Sequence, residues 1–166
     1  MNVEELRIKL SESGLKVTPQ RLHILHAVYE LDNHPTAEQV HNFIKKSYPS
    51  IARGTVYNVL ETFVDNNLVK KVKTEKDIFR YDGILDRHHH LYCSECDMIR
   101  DYVDEELDLI IKEYFKNKKI KGFKMEDIVL QIRGKFDQCY FFKYKSKYYG
   151  TSARTCATGC KYAKNW

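Results

Sequence analysis

Hydrophobic residues in the first 66 positions recur at the spacing of amphipathic helices. Val3, Leu6 and Leu10 share one face of a first predicted helix, which Gly14 ends. Thr18-Pro19 predicts the start of a second helix, because a hydroxyl can cap the free N–H groups and proline suits the first helical position. The pattern therefore predicts a helical first half with short connections.

Two more helices follow in the same half. Thr36-Ala37-Glu38-Gln39 has the form of a capping box, which predicts a third helix starting there. A fourth helix is predicted to begin between Arg53 and Thr55 and to end near Asn66. Its predicted buried face holds Val56, Val59, Leu60, Phe63 and Val64.

Residues 68–72 and 78–81 predict two strands around a polar turn at 73–77. Helices followed by such a hairpin are typical of a winged helix-turn-helix, and a generic helical domain with an exposed hairpin is the alternative. Further along, residues 90–93 and 98–103 predict strands on either side of a Cys-x-x-Cys turn. A helix with an apolar face and a strand at 123–136 follow. The predicted fold class is α+β.

Composition narrows the classes of protein. No apolar run approaches the roughly 20 residues that a membrane span needs, and the first residues lack the pattern of a signal peptide, so we expect a cytoplasmic location. The five cysteines are an odd number with two short spacings, which favours metal-binding thiols over disulfides. The net charge is +5, but the basic excess lies in residues 135–166, so DNA binding would depend on local clusters.

The N-terminal end of the fourth helix predicts a DNA-reading surface. Major-groove recognition needs hydrogen-bonding and apolar side chains at such a position. The candidates there are Arg53, Thr55, Tyr57 and Asn58. The candidates for phosphate contacts, which hold register without reading sequence, are Lys16, Arg21, Lys70, Lys71 and Lys73. A solvated charged face is the alternative for any single lysine.

Residues 81–96 concentrate metal-binding chemistry. They contain three imidazoles, carboxylates that include those of Asp82 and Asp86, and the pair Cys93 and Cys96. Imidazole with carboxylate suits Fe, Mn or Zn at a site with an open position, whereas paired thiolates suit a closed structural zinc. Alternate residues of a strand face opposite sides, so we expect His89 to face away from His88 and His90.

The chain closely resembles the ferric uptake regulator (Fur) family. The resemblance rests on Val17-Thr18-Pro19-Gln20-Arg21, His34-Pro35-Thr36-Ala37, Gly54-Thr55-Val56-Tyr57-Asn58-Val59-Leu60 and the histidine-rich segment leading into Cys93-Ser94-Glu95-Cys96. It implies a homodimeric, metal-dependent transcriptional repressor that binds palindromic double-stranded operator DNA. It also implies a winged-helix DNA-binding domain at 1–82, a hinge at 83–87, a dimerisation and metal-binding domain at 88–142 and a C-terminal extension at 143–166.

The resemblance also implies a regulatory site for Fe²⁺ or Mn²⁺, whose ligands would be His34, Asp82, His88, His90 and Asp101. Asp101 resembles the peroxide-sensing branch, because iron-sensing members usually have Glu at that position. That branch implies that peroxide oxidises a ligating histidine, His34 or His88, and so releases the metal and the DNA. Mn²⁺ would support repression without this reaction.

The structural zinc site departs from the family pattern, because Phe136 occupies the position of one expected thiol. Cys93, Cys96 and Cys139 remain, with Cys156 or Cys160 as the candidate fourth ligand of Zn²⁺. Three thiolates with another ligand, or no zinc, are the alternatives. Residues 140–149 alternate basic and aromatic side chains, which is typical of an amphipathic strand or a nucleic-acid-binding segment.

Three other functions fit parts of the pattern. An iron-sensing repressor would use the same five ligands. A non-haem iron oxygenase would use the histidines and aspartates, but it would not need Tyr57 on an exposed helix followed by a basic hairpin, so we expect a regulator and not an enzyme. A zinc-only structural module would leave His34 and Asp101 without a role.

Overall fold

The computed structural model describes residues 1–32, 34–74, 78–116, 118 and 120–137. Within them the chain forms the helices α1 (Val3–Glu12), α2 (Pro19–Leu31), α3 (Ala37–Ile44), α4 (Arg53–Asp65) and α5 (Glu105–Lys116). The strands are β1 (Lys70–Lys73), β2 (Phe79–Asp82), β3 (His89–Cys93), β4 (Ile99–Tyr102) and β5 (Gln131–Gly134). The predicted α+β class is confirmed. None of these helices has the length and apolar character needed to cross a membrane.

The predicted caps define the helix starts of the first half. The Thr18 hydroxyl accepts a hydrogen bond from the Arg21 N–H, and Pro19 is the first residue of α2. Thr36 and Gln39 form the predicted capping box at the start of α3. These caps matter for function because His34 lies in the short connection between α2 and α3.

A single buried apolar cluster holds α1 to α4 together, and its members lie between residues 6 and 81. From the predicted face of α4, Val56, Leu60 and Phe63 are fully buried, whereas Val59 and Val64 pack at its edge. Burying side chains of this size contributes about 1.5–3 kcal/mol each before the entropy cost of ordering them. The proposed domain boundary at residue 82 stays a prediction.

The strands β1 and β2 form an antiparallel hairpin directly after α4, with Lys70 opposite Asp82 and Lys73 opposite Phe79. Helices α2, α3 and α4 followed by this hairpin are the arrangement expected of a winged helix-turn-helix. The pairing brings the C-terminal end of β2, and with it Asp82, back towards the base of the wing.

The second half is a three-stranded sheet in the order β4-β3-β5, with β3 antiparallel to β4 and parallel to β5. The prediction of a strand over 123–136 is wrong in its length, because only Gln131–Gly134 pairs. His90 lies opposite Gln131 in the parallel register, and β3 begins at His89, so residues before 130 extend beyond the start of β3. Helix α5 keeps its predicted apolar face, yet none of its residues is buried.

Candidate metal centre

The five residues expected to bind the regulatory metal lie together in the structure. His34, Asp82, His88, His90 and Asp101 each offer one donor atom, and these atoms lie within 4.8 Å of one another. His34 and Asp82 come from the winged-helix half. His90 and Asp101 lie on β3 and β4 of the second half, and His88 directly precedes β3. The group is therefore assembled by packing the two halves against each other.

Strand geometry places the ligands of the second half. His88 and His90 are two residues apart, so their rings lie on one side of the chain, and their Nε2 atoms are 3.0 Å apart. Asp101 of β4 lies directly opposite His90 in the antiparallel register. His89 faces the other way, as predicted, with its Nε2 3.4 Å from Asp108 Oδ1 on α5.

The connection between α2 and α3 places the remaining imidazole. His34 has a φ of 55°, in the left-handed region that residues other than glycine seldom adopt. This turn directs a buried ring towards Asp101 Oδ1, 3.1 Å from His34 Nε2, and towards Asp82 Oδ2 at 3.6 Å.

Hydrogen bonds outside the group orient its donor atoms. The Asp86 carbonyl lies 2.9 Å from His88 Nδ1, which places the proton on Nδ1 and leaves a lone pair on Nε2 facing the other ligands. The Ile84 N–H donates to Asp82 Oδ1 at 2.8 Å, which leaves Oδ2 available to the group. The backbone of the residues that follow Asp82 therefore orients two of the candidate ligands, Asp82 and His88.

The donor spacing suits a metal ion. With bonds of about 2.1 Å, neighbouring ligands of one ion stand about 3.0 Å apart. Asp82 Oδ2 and His88 Nε2 are 2.9 Å apart, and His88 Nε2 and Asp101 Oδ1 are 3.3 Å apart. Among the described residues, the buried His34 Nε2 and Asp82 Oδ2 have no hydrogen-bond partner, so protein groups alone leave them unsatisfied. The residues fit a bound cation.

The electrostatics of the group favour positive charge. Burial lowers the pKa of His34, but the neighbouring carboxylates of Asp101 and Asp82 outweigh it and raise the pKa to about 9. Burial also opposes ionisation of Asp82, yet contacts with His34 and His90 and the Ile84 N–H hold its pKa well below the usual range. Three imidazoles with two carboxylates form a mixed nitrogen and oxygen site of the kind that suits Fe²⁺ or Mn²⁺.

The thiol part of the predicted zinc site is described only in part. Cys93 is buried, Cys96 is partly buried, and neither forms a disulfide. Cys139, Cys156 and Cys160 lie outside the described residues. Phe136, which stands at the position of an expected thiol, has its ring centroid 4.5 Å from the Arg100 guanidinium. The zinc site stays a prediction.

The predicted base-reading residues lie in the first two turns of α4. Tyr57 is 39% exposed, Asn58 and Arg53 are exposed, and Thr55 is half-buried. The Arg53 guanidinium lies 3.4 Å from the Tyr57 hydroxyl and 4.0 Å from Glu38. These side chains share one accessible helix end, as major-groove reading requires.

The predicted phosphate-contacting residues differ in their surroundings. Lys16 and Lys73 are exposed, whereas Arg21 donates a hydrogen bond to the Lys16 carbonyl. Lys70 donates to the Asp86 carbonyl in the hinge at 3.1 Å, and Lys71 donates to both carboxylate oxygens of Glu61 at 2.8 Å. Lys70 and Lys71 therefore have roles inside the protein besides any contact with phosphate.

Two residues near the metal centre were missed by the sequence reasoning. Arg80 donates hydrogen bonds to the His34 and Asp97 carbonyls, and the Tyr81 hydroxyl donates to Glu61. Both lie within two positions before Asp82, and this proximity to a candidate ligand is the only sign of their role in the sequence. Their partners lie 17 to 46 positions away, so no local spacing rule identifies them.

Comparison with known proteins agrees with this geometry. The sequence profile of the ferric uptake regulator family matches residues 12–133. The "Peroxide operon regulator" of Bacillus subtilis is 31% identical over 130 residues, covering 78% of this chain and 88% of that protein. The "Peroxide-responsive repressor PerR" of Staphylococcus aureus is 32% identical over 108 residues, covering 65% of this chain and 73% of that protein. The Helicobacter pylori ferric uptake regulator has the same fold, with a TM-score of 0.70 at 21% identity over 84% of this chain and 95% of that one. The chain belongs to the ferric uptake regulator family.

Proposed function

We propose that this protein is a metal-dependent, DNA-binding transcriptional repressor that senses peroxide through oxidation of a metal-ligating histidine. The observation that carries the proposal is the convergence of five donor atoms from both halves of the chain. A cation held by all five would fix the winged helix against the second half. DNA binding that requires this fixed arrangement then depends on the metal.

The regulatory metal would be held by His34, Asp82, His88, His90 and Asp101. Bound Fe²⁺ would activate hydrogen peroxide for reaction with a neighbouring ring, whereas Mn²⁺ at the same ligands would support repression without this reaction. The chain would contribute the lone pairs of three imidazoles and one oxygen atom from each of two carboxylates. Burial of His34 and His88 holds their rings at the ion, out of reach of bulk solvent.

Two observations support peroxide as the signal. The Bacillus and Staphylococcus relatives, at 31% and 32% identity, carry names that describe response to peroxide. The fifth ligand position here holds Asp101, as in the peroxide-sensing branch that the sequence resembles. In the proposed reaction, one ring C–H of His34 or His88 becomes C–OH. Hydrogen peroxide supplies that oxygen atom, takes up two electrons from the ring and is reduced to one water molecule. The altered ring is a poorer ligand, so the metal and then the DNA are released.

The proposed DNA contact uses the N-terminal end of α4 to read base edges and the wing to hold phosphates. A homodimer would present two such helices to a palindromic operator. The exposed apolar face of α5 supports association with a second copy, because Ile110 and Tyr114 on that face are each more than half exposed in the single chain. We place the DNA-binding domain at 1–82, the hinge at 83–87 and the dimerisation domain at 88–142.

The proposed structural zinc would use Cys93 and Cys96 with Cys139, and Cys156 or Cys160 as the fourth thiolate. The turn between β3 and β4 supports this, because the Asp97 N–H donates a hydrogen bond to the Cys93 carbonyl and closes a tight turn that contains both cysteines. The zinc content of the purified protein, and its loss in Cys93→Ser and Cys139→Ser variants, tests this part separately.

The deciding experiment loads the purified full chain with Fe²⁺ or Mn²⁺ without oxygen, adds hydrogen peroxide and maps oxygen addition by peptide mass spectrometry. We expect one added oxygen on His34 or His88 in the Fe²⁺ sample and none in the Mn²⁺ sample. His89 and His41 lie outside the metal centre and serve as internal controls in the same digests. Release of iron is followed in parallel with a chromogenic chelator.

Each outcome has a defined meaning. Oxidation confined to the two ligand histidines together with iron release supports a peroxide sensor. Unmodified histidines with retained iron would contradict peroxide sensing and favour an iron-sensing repressor with the same ligands. Equal oxidation of all histidines would indicate diffusible radicals and would contradict a site-directed reaction.

A further inference from the structure

Arg80 lies at the junction between the metal centre and the Cys-x-x-Cys turn. Its Nη1 donates a hydrogen bond to the His34 carbonyl at 3.0 Å, and its Nη2 donates to the Asp97 carbonyl at 2.7 Å. His34 is a metal-centre residue of the first half, and Asp97 follows Cys96 in the second half. One side chain therefore connects the backbones that carry the two predicted metal sites.

The two carbonyls that Arg80 holds belong to unusual backbone positions. His34 has a φ of 55° and Asp97 a φ of 58°, and both are in the left-handed region. Residues other than glycine seldom adopt that conformation, although aspartate and histidine adopt it more often than most. Such a conformation persists where the surroundings over-determine it. The two hydrogen bonds from Arg80 are direct contacts that stabilise both turns.

The backbone of Arg80 is fixed independently of its side chain. Arg80 lies opposite Val72 in the β1–β2 hairpin and forms an isolated antiparallel bridge with Thr36, the N-cap residue of α3. The guanidinium therefore projects from a rigid base. Its Nε is buried without a hydrogen-bond partner among the described residues, so the two carbonyl contacts described above are made by the Nη atoms.

Arginine suits this position and lysine does not. The guanidinium is a planar group whose Nη atoms carry N–H donors in fixed directions, so one side chain can serve two carbonyls in different segments. An ammonium group is a single strongly hydrated point charge on a flexible stem. Asp97, Tyr92 and Cys96 also lie close enough to favour the Arg80 charge, although burial lowers its pKa.

We propose that Arg80 is a positioning residue that holds His34 in its metal-binding conformation and couples it to the Cys93–Cys96 turn. Binding at the regulatory site then depends on the conformation of that turn, and the turn responds to the regulatory metal in return. The inference rests on the proposed function, because it requires His34 to be a ligand. It adds a connection that neither ligand set contains.

The first test compares Mn²⁺ affinities by calorimetry for the full chain and three variants. Arg80→Lys keeps the positive charge but removes the two Nη donors, and His34→Ala removes a proposed metal ligand. Arg7→Lys is the matched control, since Arg7 is an exposed residue of α1 remote from the site in sequence. Losing an outer contact to a ligand costs about 10–100-fold in metal affinity, so we expect at least about tenfold weaker binding in Arg80→Lys. Arg7→Lys should bind as the parent does.

The second test uses the parent protein, so it holds even if Arg80→Lys does not fold. The rate at which iodoacetamide alkylates Cys96 is measured by mass spectrometry with and without saturating Mn²⁺. We expect Mn²⁺ to slow alkylation of Cys96 severalfold, because fixing His34 also fixes the Asp97 turn through Arg80. In folded Arg80→Lys, alkylation should be equally fast with and without Mn²⁺.

The outcomes separate the two proposals. If the parent binds no Mn²⁺, or if His34→Ala binds it equally well, the metal site itself is wrong. If His34→Ala loses affinity while Arg80→Lys keeps it, the site stands and the role of Arg80 is contradicted. If Mn²⁺ leaves the alkylation rate of Cys96 unchanged in the parent, the coupling to the thiol turn is contradicted.

Discussion

Tyr81 connects the strand that carries Asp82 to the helix that presents Tyr57. Its hydroxyl donates to Glu61 Oε1 of α4 at 2.9 Å, and Lys71 of the wing donates to the same carboxylate. Burial and the Glu61 carboxylate raise the pKa of Tyr81 above its usual range, so the hydroxyl remains a donor. A contact of this kind transmits the position of β2 to α4.

The pH dependence of stability tests this contact. Hydrogen bonds from Lys71 lower the pKa of Glu61 below its usual range, although burial opposes this and the carboxylate is partly exposed. A depressed pKa stabilises the fold above the unfolded-state pKa, and the contribution is lost as pH falls through the folded-state pKa. We expect Glu61→Gln to lower the free energy of unfolding by about 1 kcal/mol at pH 7, and by much less near pH 3.

Urea unfolding of the metal-free protein at both pH values measures this difference. Glu38→Gln is the control, because Glu38 is exposed and its nearest guanidinium, that of Arg53, is 4.0 Å away. A surface pair of this kind contributes little, so Glu38→Gln should stay within about 0.5 kcal/mol of the parent. An equal effect of Glu61→Gln at pH 7 and pH 3 would contradict the ionised contact.

Gly83 marks the close approach of the hinge to α2. A Cβ at this position would lie 2.7 Å from Tyr29 Cε1, and the Gly83 carbonyl accepts a hydrogen bond from the Tyr29 hydroxyl at 3.1 Å. We expect Gly83→Ala to destabilise the fold by about 1–3 kcal/mol, because the aromatic ring must shift. Thermal unfolding measures this.

Gly54 is the control position for the same substitution, because it has space for a side chain. It lies in α4 with no atom within 4 Å of an added Cβ. Alanine favours helix over glycine by up to about 1 kcal/mol, so Gly54→Ala should be neutral or stabilising. Destabilisation by Gly54→Ala, or none by Gly83→Ala, would contradict the packing described for the hinge.

At the level of elements, local sequence signals succeeded where local forces decide the structure. The Thr36 capping box forms between residues three positions apart. The extent of β5 depends instead on where its partner β3 begins, so the strand predicted over 123–136 was too long. The composition of residues 81–96 alone indicated metal binding, but the complete set of five candidate ligands could be expected only through the family resemblance, because these residues are spread over 68 positions from His34 to Asp101.

Helix α5 is an element whose apolar face stays exposed in the single chain, since none of its residues is buried. Ile110 is 59% exposed and lies on the predicted apolar face. If this face packs against a second copy, a charged side chain there would be buried without a partner. The free-energy cost of burying that charge would exceed the free energy of association. We expect Ile110→Glu to shift the protein from dimer towards monomer in sedimentation velocity, with helical content unchanged.

Val3→Glu provides the matched control for this substitution, since Val3 is also an exposed apolar residue at 58% but belongs to α1. It should leave the dimer intact. A parent protein that sediments as a monomer at micromolar concentration would contradict the proposed dimer, and a dimer that persists in Ile110→Glu would place the interface elsewhere.

At the scale of the whole molecule, the backbone of the proposed hinge at 83–87 contacts and orients residues of the candidate metal centre. Asp82 ends β2, the Ile84 N–H and Asp86 carbonyl orient two ligands, and His88 follows. Lys70 of the wing adds a hydrogen bond to the same Asp86 carbonyl. A cation bound by residues before and after this segment therefore restricts it, and that restriction converts metal binding into a fixed position of the winged helix.

Limited proteolysis measures this restriction directly. Ile84 and Leu85 are exposed in the hinge and are substrates for thermolysin, and cleavage requires local opening of the backbone. We expect saturating Mn²⁺ to slow cleavage at these residues severalfold in the parent protein and to have no effect in His34→Ala. Phe123 is exposed, lies outside the hinge and provides the reference rate in each digest. Equal protection at Phe123 would indicate general stabilisation, and unchanged cleavage of the hinge would contradict a metal that joins the two halves.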